Sequence, residues 1–250
     1  MNNANRRSLD SSGPNAEPRT PAAAVIVAAG RGERFGAADK VFLPLAGRPI
    51  LAYALDAVEA AASIAAVVIV VGEHTRATAV ELVAAGPWTK VTAIVAGGER
   101  RQDSVAAGLA AVPDEVEIVA IHDGARPFAP AALFDACVAA ATATGAAIAA
   151  VPVTDTIKRV VNGQIAATVP RADLWAAQTP QAFVLARLRE AFEYTALHDL
   201  TVTDEAALFE LLGWPVRIVP GAPSNLKITH REDLVVAEAI PRDHGLGARS

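Results

Sequence analysis

Cysteine is nearly absent from this chain, with Cys137 alone in 250 residues. One thiol can build neither a disulfide framework nor a cysteine-based zinc site, and its Ala-rich surroundings read as helix, so Cys137 is expected to be a small buried hydrophobe. Long apolar runs are missing as well. None approaches the ~18 residues a bilayer-spanning helix requires, and the N-terminus lacks the apolar segment of a signal peptide. Together these absences point to a reducing, cytoplasmic compartment and no membrane partner. Nor is there an excess of positive charge. A formal net charge of −5 argues against a nucleic-acid footprint while leaving room for a local basic pocket that takes small anions. The histidines at 74, 198, 230 and 244 are too scattered to suggest a metal cluster.

Present instead is an apolar fraction of 52%, carried by Ala and Val, against 20% charged residues. Residues 1–21 are rich in Asn, Ser, Arg and Pro without apolar period, which predicts a disordered leader. From Ala22 short apolar runs alternate with helical segments, the pattern of repeated βα units in a mostly parallel sheet. Strands are predicted at Ala23–Ala28, Val67–Val71, Val91–Val95, Val116–Ile121 and Ala146–Val151. Helices are predicted near Ile50–Ala61, Thr75–Ala85, Ser104–Ala111 and Pro130–Ala143, with Pro49 in the first turn of its helix and Ser104 as a cap. Residues 152–181 break the rhythm. Thr156–Val161 and Gln164–Val169 flank Asn162-Gly163, a strong hairpin signal. Such a hairpin is marginal alone and needs something to pack on, most economically a second copy of the chain. Helices at Val184–Tyr194 and Asp204–Leu212, a strand at Val216–Val219 and a last helix opened by a Thr229/Glu232 capping box complete a single domain over residues 22–240, before a loose tail at 241–250.

The chemistry concentrates in Val25–Lys40. A buried strand passes into Gly30, Gly32 and Gly36, with Arg31, Arg34 and Lys40 spread through the same loop. Glycines let backbone N–H groups approach anionic oxygens, and the cations add charge that amides alone lack, so the loop reads as an anion cradle. A dinucleotide site fits poorly, because the first acidic residue after the next strand is Glu73, well beyond the expected ribose-binding position. No Gly-Lys-Ser/Thr follows, so the loop is not a Walker P-loop. Two further polar clusters, Gly97–Ser104 and His122–Pro127, also follow predicted strands, and ligands in such sheets collect at strand carboxyl ends. Nucleotidyl transfer suits this set: attack on an α-phosphorus crowds negative charge that Arg34, Lys40 and a metal on Asp123 would offset without a nucleophilic side chain.

Taken in order, several motifs resemble the 2-C-methyl-D-erythritol 4-phosphate cytidylyltransferase family, the CTP-using enzymes of non-mevalonate isoprenoid synthesis. They are Ala28-Ala29-Gly30-x-Gly32-x-Arg34-Phe35 with Lys40, Gly97-Gly98 through Asp103-Ser104-Val105, His122-Asp123-x-Ala125-Arg126-Pro127, Asp155-Thr156-Ile157-Lys158, Gln178-Thr179-Pro180-Gln181, Thr203-Asp204-Glu205-Ala206 and Asn225-x-Lys227-Ile228-Thr229. The resemblance covers Ala22 to Ile240 and implies a Rossmann-like α/β fold with a projecting β-hairpin arm.

On that resemblance, Ala28, Ala29, Gly30 and Gly32 hold the nucleotide while Arg34 and Lys40 stabilise transition-state charge. Gly97, Gly98, Glu99 and Ser104 read the cytosine, with Arg101 nearby. Asp123 binds Mg²⁺, and Arg126, Thr156, Arg171 and Lys227 hold the phosphate of the acceptor, Arg171 and Lys227 also counting as catalytic. The implied partners are CTP and a polyol phosphate, in a homodimer whose arms carry Thr156 and Arg171 into each other's sites. Arg31, Arg100 and Arg159 are read as solvated or structural charges, and His122 as a structural hydrogen-bonding group. Three positions depart from the pattern. Asp39 and Val41 stand where the family commonly has Pro and Gln around the lysine, and Ser224 where an acidic residue is common. These departures keep two alternatives open: transfer to another polyol phosphate such as ribitol 5-phosphate, or a nucleotide-binding paralogue without turnover.

Overall fold

The structure is a computed structural model, and it describes residues 21–30 and 39–240. The predicted leader, apart from Pro21, and the tail at 241–250 lie outside the described residues. So do Arg31, Gly32, Arg34 and Gly36 of the cradle.

In chain order the elements are β1 (Ala22–Ala28), a 3₁₀ turn at Lys40–Phe42, the two-residue strands β2 (Pro44–Leu45) and β3 (Arg48–Pro49), α1 (Ile50–Ala60), β4 (Ile64–Val71), a 3₁₀ turn at Glu73–Thr75 and α2 (Arg76–Ala85). Next come β5 (Val91–Ala96), α3 (Arg101–Ala110), β6 (Ile118–Asp123), α4 (Ala131–Thr144), β7 (Ala146–Pro152), β8 (Ile157–Val161), β9 (Gln164–Val169) and β10 (Trp175–Val184). The chain closes with α5 (Leu185–Leu197), α6 (Ala206–Leu211), β11 (Arg217–Pro220) and α7 (Arg231–Ala239). No described helix is long and apolar enough to cross a membrane.

Seven strands form one sheet in the order β11-β7-β10-β6-β1-β4-β5. Only β10 runs against the others, pairing antiparallel with both β6 and β7. This strand was not among those expected: its central Gln178-Thr179-Pro180-Gln181 breaks the apolar run by which the parallel strands announce themselves.

Side-chain alternation along β1 sends Ala24 and Ile26 into a core roofed by α1 and α4, and Ala23 and Val25 into a second core under α3, α5 and α6. Helix α3 lies especially close. A Cβ at Gly108 would come within 2.4 Å of Val25 Cγ1, so only glycine lets α3 rest against β1 and carry its N-terminus over the strand ends. Cys137 is buried on α4 as expected, and burial pushes its thiol pKa up to about 12.

The Asn162-Gly163 hairpin forms between β8 and β9, in a separate two-stranded ribbon. Both turn residues take positive φ, 51° and 77°, the geometry of a type I′ turn. Three caps differ from expectation. Pro49 precedes α1 as its N-cap. Helix α3 starts three residues before Ser104, capped by Arg100 with Asp103; the Ser104 hydroxyl instead accepts from Gly98 N at 3.2 Å and donates to Arg100 O. Helix α7 is boxed by His230 and Asp233, one residue later than Thr229 and Glu232. The Asp233 carboxylate takes the backbone N–H groups of both Thr229 and His230, at 2.6 and 2.8 Å, which an exposed Glu232 does not reach.

Candidate active site

Strand register decides where the polar clusters meet. Val27 pairs with Asp123, Ala28 with Val71 and Val71 with Ala96, so β1, β4, β5 and β6 end along one edge of the sheet. Strand β6 runs two residues further than expected, and Asp123 is therefore its last residue, fixed in the ladder instead of carried on a loop. At this edge lies a cavity of about 370 Å³ bordered by Ala28, Ala29, Gly30, Lys40, Gly98, Glu99, Arg101, Ser104, Asp123 and Lys227.

Each wall has a local cause. Val41 is buried beside Lys40, which anchors the 3₁₀ turn in the core and accounts for an apolar residue at that position. Gly97 and Gly98 pass beneath the start of α3, where a Cβ at Gly97 would meet Ala29 Cβ at 2.4 Å and one at Gly98 would meet Asp103 Cβ at 2.4 Å. Lys227 arrives from the far side on a segment locked by Asn225. Fully buried, Asn225 donates to Gln178 Oε1 at 3.1 Å and Thr179 O at 2.9 Å. Three residues on, Ile228 N donates to Ala125 O at 2.8 Å, leaving Lys227 to point into the cavity.

Asp123 is the electrostatic centre. Its carboxylate faces Lys227 Nζ at 2.8 Å, Arg101 Nε at 3.3 Å and Arg126 Nε at 3.7 Å. Burial would raise its pKa, but these three cations overcome that and hold it well below the ordinary carboxylate range. Arg101 is shared, since its Nη1 also donates to both oxygens of Glu205, at 2.7 and 2.9 Å. Burial opposes the Arg101 charge, and the two carboxylates more than compensate, so its pKa rises.

Beneath Asp123 sits a neutral histidine. His122 Nε2 lies 3.2 Å from Arg126 O; a carbonyl only accepts, so Nε2 carries the proton. Nδ1 then accepts from the Thr179 hydroxyl at 2.9 Å, and Thr179 Oγ1 in turn accepts the Asp123 N–H at 3.0 Å. Complete burial drives the His122 pKa down to about 4, so His122 is the structural group expected from sequence.

A family model for 2-C-methyl-D-erythritol 4-phosphate cytidylyltransferase matches residues 22–243. The chain belongs to this family. It is 50% identical over 219 residues to the enzyme of that name from Prochlorococcus marinus, covering 86% of this chain and 96% of the relative. The Gloeobacter violaceus enzyme of the same name is 49% identical over 220 residues, at 86% and 94%. Among solved structures, a 4-diphosphocytidyl-2C-methyl-D-erythritol synthase from Anaerococcus prevotii superposes with a TM-score of 0.79 at 30% identity, covering 89% of this chain and 98% of that one. The Thermus thermophilus 2-C-methyl-D-erythritol 4-phosphate cytidylyltransferase gives 0.71 at 36% identity, covering 87% and 97%.

Against the residues singled out from sequence, the cavity gathers Ala28, Ala29, Gly30, Lys40, Gly98, Glu99, Arg101, Ser104, Asp123 and Lys227. Gly97 stands just behind that wall, its N–H bonded to Val71 O at 2.8 Å. Arg126 is largely withdrawn: its Nη1 donates to Asn225 O at 2.7 Å, and its buried Nε has no hydrogen-bond acceptor among the described residues. Thr156 and Arg171 stay outside the cavity of their own chain, exposed at the hairpin base, where Arg171 Nη1 donates to Thr154 O. Gly32 and Arg34 fall outside the described residues. Arg100 is structural, paired with Asp103 at 2.7 Å.

Sequence reasoning assigned no role to Glu205, Gln178, Thr179 or Asn225, although each lay in a quoted motif. For Gln178 and Thr179 the signal was a polar pair inside a strand whose residues 178–183 are buried, where polar groups must find partners; Glu205 and Asn225 stand in polar segments with no such signal.

Proposed function

We propose that this protein transfers CMP from CTP to 2-C-methyl-D-erythritol 4-phosphate with release of pyrophosphate, a step in isoprenoid precursor synthesis. The observation that carries the reading is the Lys40–Asp123–Lys227 cavity at the strand ends, in a chain of this family. Leaving aside Arg100, which Asp103 neutralises, its lining sets Lys40, Arg101 and Lys227 against Glu99 and Asp123, a cationic pocket in a chain of formal charge −5. That contrast suits polyanionic small substrates and disfavours nucleic acid.

In the transfer, an acceptor phosphate oxygen attacks the α-phosphorus of CTP and the bond to pyrophosphate breaks. Ala28, Ala29, Gly30 and Gly32 hold the triphosphate through backbone groups, and Lys40 with Arg34 meets the charge developing on its oxygens. Gly97, Gly98, Glu99 and Ser104 read the cytosine edge. Arg101, held between two carboxylates, fixes Asp123 more than it contacts the nucleotide. Lys227 takes the acceptor phosphate, exchanging its contact with Asp123 for the incoming anion, and Arg126 adds positive charge from behind it.

Among the described residues no three His, Cys, Asp or Glu side chains gather to form a preformed metal cage. One carboxylate at a phosphate site does fit Mg²⁺, which keeps several waters and binds through one or two carboxylates plus substrate phosphates. Asp123 is the residue that would hold it, and the ion when bound supplies charge neutralisation on the triphosphate.

The β8–β9 ribbon supports a homodimer, since Val160, Val161 and Ile165 expose apolar side chains there at 56, 54 and 66%. On this reading the arm packs on a second copy and brings Thr156 and Arg171 to its acceptor phosphate. Residues 22–240 act as one nucleotidyltransferase unit, and the protein works in the cytoplasm.

Pyrophosphate release from purified protein, CTP and Mg²⁺, measured with each acceptor separately, tests the function. Turnover with 2-C-methyl-D-erythritol 4-phosphate is expected. Preference for ribitol 5-phosphate, or tight CTP binding without release from any acceptor, would overturn it.

A further inference from the structure

Asp39 directly precedes Lys40, and its side chain reaches across to a loop from another strand. Its Oδ2 lies 2.7 Å from Nε2 of His74. A carboxylate oxygen only accepts, so His74 donates. His74 occupies the 3₁₀ turn that follows β4, and that turn is itself fixed: Thr75 N and Thr75 Oγ1 both bond Gly72 O, at 2.9 and 3.0 Å. On the other side, Phe42 N donates to Asp39 O at 2.9 Å and Val41 is buried. The pair thus joins the segment that aims Lys40 to the turn at the end of β4, the strand next to the sheet edge.

The backbone of Asp39 gives this link its meaning. Its φ is −67°, within the range a proline ring would impose. Aspartate adopts the same φ without being locked to it. A side-chain tether to the sheet supplies a restraint of the kind that a ring at this position would give. His74 also borders a smaller cavity of about 220 Å³ that shares Ala29, Gly98 and Glu99 with the main one, so the tether lies at the edge of the nucleotide site.

We propose that His74, acting through Asp39, is a positioning residue that holds Lys40 on the transferring phosphate. The inference rests on the nucleotidyl-transfer reading, and its test separates the two. Pyrophosphate release is measured for the unaltered protein, His74→Ala, His74→Gln, Asp39→Pro and the His74→Ala/Asp39→Pro double variant. His74→Ala is expected to lower kcat about fivefold, the scale of a small misplacement of one catalytic group. KM for CTP stays within about twofold because the nucleotide contacts are untouched, and the melting temperature holds because an exposed pair adds little to global stability. His74→Gln, which keeps a donor, recovers most of kcat. In the Asp39→Pro background, where the ring fixes φ, His74→Ala no longer lowers kcat. An unchanged kcat in His74→Ala, an equal loss in both backgrounds, or an inactive Asp39→Pro enzyme would each overturn the inference. Inactivity of the unaltered protein would instead sink the function itself.

Discussion

Replacing Glu205 by glutamine removes one negative charge from the most buried ion pair of the site while keeping side-chain size. Glu205 is 1% exposed, and both of its oxygens sit within 2.9 Å of Arg101 Nη1. Burial lifts the Glu205 pKa against the pull of Arg101, while the guanidinium it faces keeps its charge. Removing one partner of a buried pair costs about 3–5 kcal/mol. Arg101 retains Asp123 at 3.3 Å and a side chain 27% exposed, which places the expected cost at the lower end, about 3 kcal/mol. For a chain of this length each kcal/mol is worth about 2–4 °C, so the melting temperature falls by about 6–12 °C. Arg101 then leans wholly on Asp123, and kcat/KM drops about tenfold, one 1.4 kcal/mol step in transition-state stabilisation. Thermal unfolding by circular dichroism, with pyrophosphate release at a temperature where the variant is folded, measures both. A melting temperature within about 2 °C of the unaltered protein would refute the claim that Arg101 depends on Glu205.

Lys40→Ala is expected to cost at least ~10²-fold in kcat with the circular dichroism spectrum unchanged, comparable to losing one oxyanion donor; near-normal turnover would remove Lys40 from the chemistry. His122 supplies a pH signature. Its folded pKa, about 4, lies below the ordinary value of 6.5, so the unfolded chain binds the extra proton first. Stability contributed by the neutral ring is therefore full above pH 6.5 and is lost as pH falls towards 4, by about 3 kcal/mol at most. His122→Asn should flatten the melting-temperature profile across that window, and parallel profiles for the two proteins would contradict it.

The chain by itself determined the βα rhythm, because a strand buried on both faces must be apolar throughout, as Ala22–Ala28 and Ile64–Val71 are. It also determined the hairpin, since Asn162-Gly163 takes a positive φ at both positions at little local cost. The strand-end location of Lys40, Asp123 and the Gly97–Ser104 turn follows from the same rhythm, as glycines and charges cluster where apolar runs stop. Tertiary structure alone decided which charges answer which. Glu205 reaches Arg101, and His74 reaches Asp39, across 104 and 35 positions of sequence; no local pattern encodes such a pairing. Strand β10 was hidden for a related reason. Its Gln178, Thr179 and Gln181 are buried polar groups that hydrogen-bond Asn225, His122 and Asp204, partners that become neighbours only after the sheet has formed. Local propensity and periodicity write the elements into the sequence, whereas ion pairs and buried hydrogen bonds depend on distances that exist only in the folded chain.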